Sequence, residues 1–319
     1  MKIYKIISAG FGITLFFLFI LFIGTNELVE TIKNAQILYV IVAVFIMVFD
    51  DILDSTKLNF MFRRMIGKIT HNIEFIFFYN SYLSARVFKA LFPIKGGEFT
   101  IIYFLKKIGI PYKKSFSLVF LDLFIMLTVL LFIASIGMYI YFGFKEFLML
   151  LIASISLIFI IYLSVRSTAS KNIYRIIPKR ISSKYDFKIL DDWNYYWNRK
   201  RKYIPSIFFL NFVNWIISHL VLFSLFRSLG FNVDIVGLVF VNSLTTIISI
   251  IPISPGSIGV KEISGAVLFN LILGVPMEIS ASAFILQRGI ELFVSLIYFF
   301  YIRNFITERI SWKKTITKS

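Results

Sequence analysis

Two proline- and glycine-rich breaks, half a chain apart, interrupt apolar sequence that would otherwise read as unbroken membrane helix. The first is Phe92-Pro93-Ile94-Lys95-Gly96-Gly97-Glu98; the second is Ile251-Pro252-Ile253-Ser254-Pro255-Gly256-Ser257-Ile258-Gly259-Val260-Lys261-Glu262. Each combines a helix-breaking proline with glycines, a lysine and a glutamate. Hydrocarbon has no water to satisfy open backbone groups, so such a break is tolerated only where protein or a wet cavity surrounds it. Matching interruptions in two halves of a chain are the pattern of inverted-repeat transporters.

Composition fixes the class. The 319 residues are 58% hydrophobic and 16% charged, whereas a soluble domain carries about 25% charged residues. Runs long enough to cross a bilayer lie at 6–24, 36–53, 115–142, 147–165, 205–227 and 279–302, with shorter apolar pairs at 73–92/99–110 and 237–251/262–274 flanking the breaks. The expected fold is therefore an all-α polytopic membrane protein with about six full spans and two opposed re-entrant helical hairpins, transporter-like in its inverted repeat. It reads as a single domain over 1–319: a first half to about 165, a basic loop over 166–204 and a second half over 205–319. The first run is longer than a signal peptide's apolar core and lacks a small-residue cleavage site, so it reads as a retained anchor.

Cysteine is absent and the only histidines are His71 and His219. Disulfides and thiolate metal sites are excluded, and neither a metal, a cofactor nor a catalytic group is expected. The net charge of +17 sits mostly between spans, in Lys57–Lys68, in the 166–202 loop and in the tail. By the positive-inside rule these segments and both termini face the cytoplasm, which suits a cell-membrane protein in contact with anionic lipid. No recognition fold accompanies the basic residues, so nucleic acid is not an expected partner.

With that orientation, the pair 73–92/99–110 enters and leaves from the cytoplasmic side, and 237–251/262–274 from outside. Limbs of about 14 residues reach roughly 20 Å, past the midplane of a core about 30 Å thick. For 72–92 a second reading stays open, an interfacial amphipathic helix carrying Arg86 and Lys89.

A helix restarting after Gly97 or Gly259 presents free N–H groups, which favour phosphate. Ser254 and Ser257 add hydroxyls, and the glycines, Gly256 included, let a headgroup approach the backbone. Lys95 and Lys261 bring charge, with Glu98 and Glu262 opposite them. An ordinary structural use is equally open, since glutamate caps helix starts and lysine snorkels. Pro93, Pro252 and Pro255 shape the tips. In the last span Gln287, Arg288 and Glu291 lie within one turn; Arg288 reads as cavity-lining and Glu291 as its structural partner. Asp122 stands in the third long span with no partner legible. Asp50 and Asp51 read as interfacial, Asn242 as an interhelical hydrogen-bonder, and His219 as a satisfied bundle histidine.

On these residues the chain resembles the lysylphosphatidylglycerol synthase transmembrane region, a flippase-like family. Its pattern of Pro, then Gly-x-x-Gly-x-x-Glu, then an Arg in the next long span is matched by Pro252, Gly256, Gly259, Glu262 and Arg288. Its Pro…Gly-Glu tip is matched by Pro93, Gly97 and Glu98. Where the family carries Arg after that Glu, this chain has Ile101 or a neighbour. Leu118 and Val119 replace a Glu-Arg pair, leaving Asp122. The resemblance implies a membrane domain that moves lipid between leaflets. Some members add a soluble lysyl-transferring domain that has no counterpart in this sequence. The expected function is translocation of an anionic phospholipid or polyprenyl-phosphate-linked headgroup, with membrane lipid as partner. A second copy of the chain or a lipid-pathway enzyme is a further partner class. The alternatives are a non-transporting scaffold or helper, and a membrane-embedded enzyme acting on lipid phosphate.

Overall fold

A computed structural model describes residues 21, 25–66, 73–91, 97–166, 200–250 and 257–311. The first apolar run, most of the basic loop and the cores of both breaks lie outside the described residues. Within them the chain forms ten α-helices, here α1 (Thr25–Lys33), α2 (Ile37–Ile66), α3 (Phe75–Leu91), α4 (Gly97–Lys107), α5 (Tyr112–Phe142), α6 (Phe144–Arg166), α7 (Ile204–Ser228), α8 (Ile235–Ile250), α9 (Val260–Leu273) and α10 (Met277–Ser311). Among them α5, α7 with its preceding turn, and α10 are each long and apolar enough to cross a bilayer, and α1 with α2, bent by 87°, qualifies as a pair.

The burial pattern is that of a protein in lipid. Large apolar side chains face outward, among them Phe45, Leu271 and Phe300. In water so much exposed apolar surface would be a liability; against acyl chains it is the solvent-facing surface. Polar groups are turned inward, with Asp51, Lys57, Asn211, Asn214, His219 and Glu262 all buried.

Both expected helical pairs form. In each half two short helices pack on one another, α3 on α4 and α8 on α9, and both α3 and α9 pack on α10. At 1.5 Å per residue the 16 residues of α8 and 14 of α9 extend about 24 and 21 Å, short of a 30 Å core. Each pair then turns into a long helix by the same device. Gly109-Ile110-Pro111 joins α4 to α5, and Gly274-Val275-Pro276 joins α9 to α10. Both glycines have positive φ, +85° and +65°, which lets the next amide fold back: Ile110 N–H donates to Leu105 O (3.1 Å) and Val275 N–H to Phe269 O (3.2 Å). The apolar residue between glycine and proline is buried in both turns. Glycine supplies the left-handed geometry and proline starts the next helix.

Helix α2 is longer than expected and overturns two readings. The expected span closes at 53; instead the helix continues to Ile66. Asp51 is not interfacial but fully buried, and Lys57 lies in the protein interior. The cause is α7, which packs along α2 and supplies polar side chains that make those charges tolerable. Helix α3 likewise is enclosed by α2, α4 and α10, with Phe78, Leu83 and Val87 buried.

Candidate functional site

The second break ends in a tight, strained turn. Ser257 has φ +58° and Gly259 φ +80°, a region a side chain enters only at a cost. Ser257 Oγ donates to Ser249 O at 2.7 Å, tying the turn to the end of α8. Gly259 N–H donates to Glu262 Oε2 at 2.8 Å, so the glutamate closes the open end of its own helix. Gly265 then brings α9 against α10, since a Cβ there would stand 2.2 Å from the Phe284 ring.

That close approach sets the first turn of α9 against one face of α10. Glu262 Oε1 lies 3.2 Å from Arg288 Nη2. Arg288 Nη1 lies 3.5 Å from Glu291 Oε2. Lys261 Nζ lies 3.5 Å from Gln287 Oε1 and 5.9 Å from the centre of the Phe284 ring, and it makes no ion pair among the described residues. Together Lys261, Glu262, Phe284, Gln287, Arg288 and Glu291 line a cleft of about 160 Å³ including its open mouth. The enclosed space is far smaller than the roughly 300 Å³ or more of a small-molecule pocket.

A second polar assembly lies on α2. Lys57 Nζ sits 3.0 Å from Asp54 Oδ1 and 3.2 Å from Asp122 Oδ2, and donates to Asn211 Oδ1 at 3.0 Å. Asn211 Nδ2 donates to Asp122 Oδ1 at 3.1 Å. Asp54 accepts from Tyr82 OH at 2.7 Å and from Asn214 Nδ2 at 2.6 Å. One turn away Asp51 is paired with Arg86 and accepts from Tyr298 OH at 2.9 Å. Tyr82, Arg86 and Lys89 form a stripe at helical spacing on α3; Glu291 and Tyr298 form one on α10. Asp51 and Asp54 thus tie α2 to α3, α7 and α10 through polar contacts.

Among the expected site residues, Lys261, Glu262, Gly259, Arg288 and Glu291 come together. Ser257 adjoins them with its hydroxyl hydrogen engaged by Ser249 O. Gly97 opens α4, where a Cβ would stand 2.6 Å from Ala85 O, and Glu98 follows it in that first turn. Asp122 belongs to the α2 assembly, its partners being Lys57 and Asn211. Pro93, Lys95, Pro252, Ser254, Pro255 and Gly256 lie outside the described residues. Ile101, Leu118 and Val119, at the positions that differ from the family pattern, are packed in one apolar core around Leu105 and Phe62. His219 Nε2 lies 3.1 Å from Ser243 Oγ, and Asn242 is buried with no partner for Oδ1 among the described residues.

Sequence reading gave Asp51, Lys57 and Arg86 other places and passed over Asp54, Asn211, Asn214 and Tyr298. Their signal was spacing: Asp50, Asp51, Asp54 and Lys57 recur at i, i+1, i+4 and i+7, one face of a helix. Among the described residues no group of histidine and carboxylate side chains converges in a way that would hold a metal ion.

No curated protein matches the chain in sequence. The family model of the lysylphosphatidylglycerol synthase TM region matches residues 6–298, a stretch that includes both hairpins, the α2 carboxylates and the α10 charges. The chain belongs to the family of the lysylphosphatidylglycerol synthase TM region, and is a lipid-related membrane protein.

Proposed function

We propose that the protein moves an anionic lipid, a phospholipid or polyprenyl-phosphate-linked headgroup, between the leaflets of the cell membrane. The carrying observation is the ionic cleft of Lys261, Glu262, Arg288 and Glu291 where a broken helix meets α10, within a chain whose outer surface is apolar. Intramembrane charges are costly and are kept where a cavity or pathway uses them. Lys261, free of any described carboxylate, receives the phosphate. Arg288 exchanges its hold on Glu262 and Glu291 for the headgroup as the cleft opens. Glu262 keeps the α9 end closed throughout. On this reading 1–319 works as one domain with both termini cytoplasmic.

The test is the full chain reconstituted in proteoliposomes containing headgroup-labelled phosphatidylglycerol, with dithionite added outside. Movement is seen as bleaching beyond the outer-leaflet share, lost in Arg288→Ala. If bleaching stops at that share in the wild type, the proposal fails. A helper role without transport is the second reading, favoured by the small cleft and by the ionic partners Arg288 already has.

A further inference from the structure

Helix α1 is anchored by a single buried side chain. That residue is Leu28, which joins Ile263 and Ala266 of α9 and Ala281 and Ile285 of α10 in a small apolar cluster apart from the two large cores. The rest of α1 is open, with Glu27, Val29, Glu30 and Lys33 exposed. Among the described residues α1 makes no hydrogen bond or ion pair to another helix.

The chain beyond the bend is held differently. Helix α1 meets α2 at 87°. Just past the bend Gln36 N–H donates to Ser228 O at 2.7 Å, and Ser224 Oγ donates to Tyr39 O at 2.8 Å. Polar bonds therefore tie the start of α2 to α7, while α1 rests on one leucine. A short helix held this way can lift about a fixed pivot, with the bend absorbing the change.

The leucine socket adjoins the ionic cleft. Ala266 lies one turn beyond Glu262 on α9, and Ile285 lies one turn before Arg288 on α10. Those two charged residues make the contact from α9 to α10. Leu28 thus bridges the same two helices one turn from their ion pair. Ala266 and Ala281, both fully buried, are too short to fill the space that a leucine vacates.

We infer that α1 is a strap on the cleft. With Leu28 seated, it holds α9 against α10 and keeps the cleft narrow; with Leu28 withdrawn, the two helices part beside Glu262 and Arg288. The strap regulates access to the site. This rests on reading the cleft as a place that a ligand enters, but not on which ligand enters or on its passage between leaflets.

The experiment uses the purified full chain in detergent. The protein has no cysteine of its own, so Gln287→Cys, at a position lining the cleft, is a single reporter for a small water-soluble methanethiosulfonate. Adding Leu28→Ala, which keeps α1 helical but removes its anchor, should speed the reaction by about tenfold or more. Leu28→Met, which conserves volume, and Val29→Ala, on the exposed side of α1, should leave the rate within about twofold of the reporter alone. Nitroxide labels at Val29→Cys and Leu271→Cys, both exposed, read the position of α1 against α9. Leu28→Ala should lengthen that distance. An unchanged rate in Leu28→Ala, an equal rise in Val29→Ala, or a faster rate with no change in distance overturns the inference. Should Leu28→Ala fail to fold, Leu28→Val is judged by the same outcomes. Neither readout needs lipid movement, so a wild type that moves no lipid in proteoliposomes overturns the transport reading and leaves the strap standing.

Discussion

Glu262 and Arg288 are joined across the α9–α10 contact at 3.2 Å, while the second carboxylate oxygen of Glu262 closes the start of its own helix through Gly259 N–H. One side chain therefore couples the shape of the broken segment to the charge on α10. Glu262 is 2% exposed, so removing its partner leaves a charge in a place that does not solvate it. Arg288→Ala should destabilise the protein by about 2 kcal/mol, less than a fully buried pair because the arginine is partly exposed. The Glu262→Gln/Arg288→Ala double variant should lose less than the two single losses added together, since the amide still caps Gly259 and no charge is stranded at position 262. Thermal unfolding in detergent measures both.

Lys57 is the centre of the α2 assembly, and two carboxylates depend on it. Lys57→Met should cost about 3–5 kcal/mol, the range for breaking a buried ion pair from one side. Adding Asp122→Asn should recover part of that, because one stranded charge is removed while Asn211 keeps a partner. A Lys57→Met protein as stable as the wild type would show that the network contributes no net stability.

Close helix contact at Gly265 and Gly137 is steric. A Cβ on either would lie 2.2 Å from an aromatic ring, Phe284 or Phe240. Gly265→Ala and Gly137→Ala should each lower stability by about 1–3 kcal/mol through overpacking. Phe284→Leu should relieve the first and Phe240→Leu the second, read as recovered melting temperature.

Asp234 sits in the connection before α8, outside the long helices. It accepts from Tyr141 OH and from Gly237 N–H, at 2.5 and 2.8 Å, as an N-cap does. These bonds, Tyr141 first, hold its carboxyl below the ordinary 3.8. A group whose folded pKa is depressed stabilises the fold above the unfolded value, and that contribution disappears as pH falls through the folded value. Stability measured downward from pH 5 should therefore fall less steeply in Asp234→Asn than in the wild type. An identical slope would mean that these bonds do not favour the ionised form.

The expectation that the two hairpins enter from opposite sides has a direct topological test. The chain contains no cysteine, so single thiols introduced at Lys95 and Ser254 report without background. Impermeant maleimide should label the first only from the cytoplasmic side and the second only from outside. Labelling of both from one side would remove the inverted arrangement.

The membrane class, the paired interruptions and the Arg288–Glu291 pairing were legible because each rests on local chemistry. Apolar runs report the solvent, proline and glycine report backbone breaks, and i, i+3 or i, i+4 spacing reports a shared helix face. The repeated Gly-Ile-Pro and Gly-Val-Pro turns are equally local, since their geometry needs only a left-handed glycine followed by a helix-starting proline, but they went unread in the sequence.

What the chain alone could not determine is which charge meets which. Asp50 and Asp51 look interfacial beside the basic stretch that follows them, yet Asp51 meets Arg86 from α3 and Tyr298 from α10, and Asp54 meets Asn214 from α7. Those partners lie 35, 247 and 160 residues away, and no spacing rule within one helix reaches them. Local sequence set the helices and their breaks; the packing of α2 against α7 and of α3 and α9 against α10 chose the ionic partners, because a buried charge is tolerated only where another helix delivers its counter-charge.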